Sequence, residues 1–146
     1  METRLKMWLF DALVTPKLLF GLASLIPSSE DLELLEGFHA HALQVITGKT
    51  LEDPWGRVIT PTYPQMLMWG NSLSIGTQLR KQRLALAGRM IRVNRDHPMR
   101  HIARDEWDSL IQNDLSMMGA KHDVLENRYL CKKMLHAPNV HLRRKF

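Results

Sequence analysis

The stretch LSIGTQLRKQRLALAGRMIRV, residues 73–93, narrows the possible folds of this chain more than any other. Its apolar residues recur at the 3.6-residue period of a helix and not at the two-residue period of a strand. On a helix of about five or six turns, Leu79, Leu84, Leu86, Ala87, Met90, Ile91 and Val93 gather on one side. Lys81, Arg89, Arg92 and, if the helix runs on, Arg95 gather on the other, with Gly88 in the middle of that basic face. A helical Gly costs roughly 1 kcal/mol against Ala, so its place invites a reason. One reason is close approach of a nucleic-acid phosphate strand; the other is tight packing against a neighbouring helix. Arg83 falls among the apolar residues. A charge there must be held by an acidic residue elsewhere in the fold, or its head group must reach the edge of the core.

The charge is unevenly spread. Residues 1–60 carry 5 basic and 8 acidic side chains, and residues 61–146 carry 15 basic and 7 acidic. Between Arg80 and Arg104 there are eight basic residues and one acidic one, Asp96. Such a block suits a polyanion, and equally a solvated helix face. The single Cys131 excludes an internal disulfide and fits a reducing compartment, so an intracellular place, nuclear or cytoplasmic, is expected. No apolar run reaches the length of a membrane span, and Asp11 and Lys17 break the only signal-peptide-like segment.

The remaining chain reads as helices. The N-terminal helix, with Thr3 as its cap, meets Pro16, which predicts a kink or break near Thr15. The dense apolar run after it (Leu18, Leu19, Phe20, Leu22, Leu25, Ile26) predicts a deeply buried segment. Ser28 and Ser29 before Glu30 and Asp31 open a helix through Leu32, Leu35, Phe38, Ala42, Val45 and Ile46, stopped by Gly48. His39 and His41 lie on different faces and read as surface or cap-side residues. Residues 49–61 read as a loop, and Thr62 with Pro64 caps a short helix to Gly70. A further helix runs from Asp105 to Met118, with Trp107, Leu110, Ile111 and Leu115 inward and Gly119 as its stop. Asp123 and Glu126 have capping-box spacing for a last helix through Leu125, Tyr129, Leu130 and Leu135. Arg128, Lys132 and Lys133 add positive charge there, and the tail from His141 adds more. The expected fold is therefore all-α: about six helices, short loops and no strand, as a domain over 1–100 and an extension over 101–146. No phosphate loop or nucleophile elbow occurs, Pro98 separates His97 from His101 and Pro138 interrupts Cys131, His136 and His141, so neither catalytic residue, metal nor cofactor is expected.

Three stretches, in order, carry a resemblance. Residues 9–21, LFDALVTPKLLFG, are similar to an "ly-alv-P-llyG" segment, with Phe20 in place of Tyr. Residues 35–48, LEGFHAHALQVITG, are similar to "LE-FH-rcLR-ilG", matching at Leu35, Glu36, Phe38, His39, Leu43, Ile46 and Gly48, with Ala42 and Gln44 in place of Cys and Arg. Residues 83–92, RLALAGRMIR, are similar to "RLRWlGHvlR", matching at Arg83, Leu84, Gly88 and Arg92, with Ala85, Leu86 and Arg89 in place of Arg, Trp and His. Residues 110–119 and 126–132 echo the same family more weakly. The chain thus resembles the C-terminal part of non-LTR (LINE-type) retrotransposon reverse transcriptases, where the thumb follows the palm.

The resemblance implies a helical thumb that grips a template–primer duplex, RNA–DNA or DNA–DNA. It also implies a palm domain or another protein as a partner. The palm's aspartate motif is absent, and no Asp-Asp pair occurs. The chain alone is therefore expected not to polymerise DNA, since nucleotidyl transfer needs metal-binding carboxylates. The expected nucleic-acid contacts are Lys81, Arg89 and Arg92, with Gly88 allowing close approach and Arg80 and Arg95 at the flanks. The alternatives are a helical protein–protein interaction module, with Trp8, Trp55 and Trp69 on its exposed patch, and a non-functional element remnant.

Overall fold

The computed structural model describes residues 2–93, 96–98 and 105–136. The fold is all-α apart from one two-stranded sheet, and no helix among the described residues is long and apolar enough to cross a membrane. Two compact units form, one from Met1–Leu22 and Pro27–Leu79, the other from Ala23–Ile26 and Arg80–Phe146. The division falls inside the long basic helix and not near residue 100. The reason is that the residues of that helix beyond Arg80 pack on the C-terminal elements, as described below.

In the first unit, α1 (Thr3–Leu9) runs through a π-helical turn (Phe10–Val14) into α2 (Thr15–Leu18). Pro16 lacks an N–H and its ring crowds the carbonyl of Ala12. The wider turn absorbs that conflict, so the helix is rewound and not broken. The segment beyond departs from the expected burial. Leu19 is fully buried, but the helix has ended, Gly21 turns the chain at φ +79°, and Phe20 is 88% exposed. Leu25 and Ile26 are exposed as well.

Helix α3 (Ser29–Thr47) has the predicted ends. Ser28 and Asp31 close a reciprocal capping box, and Gly48 takes the left-handed conformation at φ 61°. Residues 49–61 contain what the loop reading missed: β1 (Leu51–Glu52) pairs antiparallel with β2 (Val58–Ile59), Leu51 opposite Ile59. Asp53 makes the turn. Its carboxylate accepts from the Trp55 and Arg57 N–H groups, and Arg57 Nε lies 2.7 Å from it. Helix α4 (Tyr63–Gly70) is capped by Thr62 as expected, and Gln65 answers it in a capping box the sequence reading does not name. The core of this unit holds Met7, Leu43, Met66 and Leu67, and Gly70 lets α4 sit against Leu43 and Met7.

His39, expected at the surface, is fully buried in this unit. Its Nδ1 lies 2.8 Å from the Tyr63 hydroxyl, which also accepts the Ile75 N–H at 3.1 Å. Phe10 stacks on the imidazole. One polar side chain thus links α3, α4 and the start of α5 (Ile75–Arg92). Burial holds the His39 pKa down at about 4 and raises that of Tyr63 to about 12. Both groups are therefore neutral near pH 7, and one hydrogen bond joins them.

The second unit packs α5 beyond Arg80 against α6 (Asp105–Met117), α7 (Asp123–Glu126) and α8 (Arg128–His136). Leu84, Ala87 and Met90 meet Trp107, Ile111, Leu115, Leu125 and Cys131 in one core. Trp107 donates its indole N–H to the Ala23 carbonyl at 3.2 Å. Gly119, at φ 66°, ends α6 as expected. The last helix differs from its expected form. The chain breaks at Asn127, whose side chain caps α8 by accepting from the Tyr129 and Leu130 N–H groups. The spacing of Asp123 and Glu126 therefore makes no capping box, and Tyr129 and Leu130 are exposed.

Candidate nucleic-acid interface

Arg83 settles how the basic helix is oriented. It is buried, and of the two expected outcomes it takes the first: its acidic partner is Asp114 of α6. Arg83 Nε lies 2.7 Å from Asp114 Oδ2 and Nη2 lies 3.0 Å from Oδ1, a two-pronged pair. Arg80 Nε reaches the same carboxylate at 3.3 Å. One acidic side chain thus pairs with two arginines on the inward side of α5. Arg80, expected at the flank of the basic face, thus turns toward Asp114.

Gly88 is buried, with α8 directly over it. A Cβ built there would stand 3.1 Å from Cys131 Sγ, 2.9 Å from Arg92 Nη1 and 3.5 Å from the Leu125 carbonyl oxygen. Of the two readings of this glycine, the contact is helix packing. Gly88→Ala is expected to be nearly neutral, because better helix propensity offsets a small adjustment of Cys131 and Arg92. Gly88→Leu must push α8 outward and is expected to cost about 1–3 kcal/mol, read as a lower urea midpoint.

The outer face of α5 and one face of α8 wall a groove of about 1070 Å³. Lys81, Arg89 and Arg92 stand on one wall, Arg128, Lys132 and His136 on the other, and Ala85, Cys131 and Leu135 lie between. No carboxylate lines it. Among the described residues, none of Lys81, Arg89, Arg128 and Lys132 has an ion-pair partner. Partial burial lowers the pKa of Lys81, so its charge is held where water solvates it less well. Arg92 is exposed, yet Nη1 donates to the Leu125 carbonyl at 2.7 Å. It therefore ties down α7 as well as adding charge to the groove.

Of the residues named from sequence, Lys81, Arg89 and Arg92 come together. Arg80 faces Asp114, Gly88 is covered, and Arg95 lies outside the described residues, as does the basic tail. The other wall, from Arg128, Lys132 and His136, was visible in the sequence only as added charge. It could be assigned to the groove only by knowing that α8 packs on Gly88. Comparison with protein-family models, with curated proteins and with solved structures finds no match.

Proposed function

We propose that this chain is a nucleic-acid-binding helical module, thumb-like in its use of a basic helix, in which the α5–α8 groove holds a phosphate backbone. The observation that carries the proposal is the lining: five Lys and Arg side chains and His136, with no carboxylate. From Lys81 to Arg92 the helix rises about 16 Å at 1.5 Å per residue, enough to follow two or three successive phosphates. Contacts of this type position a backbone without reading bases, so binding is expected to tolerate sequence and to weaken with salt through counterion release. The resemblance to the reverse-transcriptase thumb favours a duplex, RNA–DNA or DNA–DNA, as ligand. The chain would supply grip and no catalysis, beside a palm domain or another protein.

The test is fluorescence anisotropy of a labelled RNA–DNA hybrid, with a duplex DNA and a single strand alongside, at roughly 50 and 200 mM salt. Arg89 and Lys132 are the residues to change, because both are exposed and neither is tied to the fold. Arg89→Gln with Lys132→Gln is expected to weaken every sequence alike, by about tenfold or more, and to lower the salt slope by about two. An affinity unmoved by the double change would reject the groove.

A further inference from the structure

Helix α3 is apolar on two sides. One side carries Leu43 and His39 into the first unit's core. On the opposite side, helical spacing aligns Glu30, Leu34, Phe38, His41 and Val45 in a stripe. Leu34 is 74% and Val45 68% exposed, and Phe38 is exposed too. Asp31 and Glu33 flank the stripe, and among the described residues neither Glu30 nor Glu33 has an ion-pair partner. An exposed apolar face of this kind, rimmed by charge, has the character of an interaction surface.

We infer that the α3 stripe of one molecule docks into the α5–α8 groove of a second copy. The two surfaces are complementary in chemistry. The stripe is apolar with an acidic end; the groove has an apolar floor at Ala85 and Leu135 and cationic walls at Lys81, Arg89, Arg128 and Lys132. The stripe is also long enough to fill the groove, since Glu30 to Val45 rises about 22 Å and Lys81 to Arg92 about 16 Å. An amphipathic helix laid in a groove of opposite charge is a recurrent recognition mode. The contact joins two different patches, so copies would add head to tail and assembly would not stop at a dimer unless the rotation closes a ring. It would also cover the cations proposed to hold nucleic acid, making self-association and nucleic-acid binding exclude each other. The inference needs only the groove's shape and charge, so it stands or falls separately from the nucleic-acid reading.

Sedimentation velocity of the full chain at low salt, over about a hundredfold range of concentration, tests it. Species larger than a dimer are expected to grow with concentration. Leu34→Ser with Glu33→Lys, on the stripe, and Arg89→Glu with Lys132→Glu, in the groove, are each expected to weaken assembly at least about tenfold while leaving helical circular dichroism unchanged. Each variant keeps one native face, so mixing the two is expected to restore pairing, but only as far as a heterodimer. Added RNA–DNA hybrid is expected to dissolve the assemblies if the groove also binds nucleic acid. A wild-type chain monomeric throughout overturns the inference, as does assembly that survives groove reversal, which would mean that stripe meets stripe. A mixture that stays monomeric overturns it too.

Discussion

Replacing Asp114 by alanine is expected to lower the free energy of unfolding by about 3–5 kcal/mol. The size follows from what is left behind. Asp114 is 2% exposed and Arg83 6%, so removal of the carboxylate strands a guanidinium in the core and frees Arg80 as well. A buried charge without its partner carries nearly its whole desolvation cost. Asp114→Asn keeps an acceptor oxygen but no charge and should fall between the wild type and alanine. Arg83→Met combined with Asp114→Leu removes both charges and should cost far less than Asp114→Ala alone, because apolar replacement of a buried pair is often close to neutral. Urea unfolding followed by helical circular dichroism measures all three. An Asp114→Ala midpoint equal to the wild type would show that Arg83 finds water, contrary to its burial.

The second large effect is on acid stability. His39 is held at a pKa of about 4 by burial, against an ordinary value of 6.5. Between those two values the unfolded chain binds a proton that the folded chain does not, so stability falls as the pH drops through this window. The contribution is complete above pH 6.5 and gone near pH 4, and a shift of this size corresponds to roughly 3 kcal/mol. The proton has nowhere favourable to go. Nδ1 is already engaged with the Tyr63 hydroxyl, and Nε2 is buried with no partner among the described residues. Tyr63 keeps its own proton throughout, since its pKa is raised to about 12. Comparing urea midpoints of wild type and His39→Leu from pH 7 down to 4 isolates the effect from the carboxylates. The wild type should lose about one proton's worth of slope more than the variant, and parallel curves would contradict the buried imidazole.

Helix ends were readable from sequence because their chemistry is local. Ser28 with Asp31, the Thr62 cap, and the stops at Gly48 and Gly119 each act within one turn. The position of Arg83 in its helix offered an acidic partner or the edge of the core, and did not point to Asp114, which lies 31 residues away. Distance in sequence also hid Tyr63 from His39 and the α8 wall from the basic helix. On α3 the periodic pattern was present but ambiguous. Phe38 and Val45 belong to an apolar stripe that turns away from the core, and spacing alone does not tell which of two apolar sides a neighbour will cover.

The wide turn at Phe10–Val14 has a consequence for how the chain could have changed over time. A π turn holds about one residue more than an α turn, so it behaves as a one-residue insertion absorbed inside a helix. In a straight helix an added residue would swing every later side chain by about 100° and turn the core face outward. Here the surplus is taken up just before Pro16, where one ladder hydrogen bond is missing in any case. Leu19 thereby stays fully buried while Met7 keeps its place opposite Leu43 and Gly70. A residue added or removed at this point would thus be taken up as a local swelling or tightening of the backbone, leaving the packing on both sides of it in place.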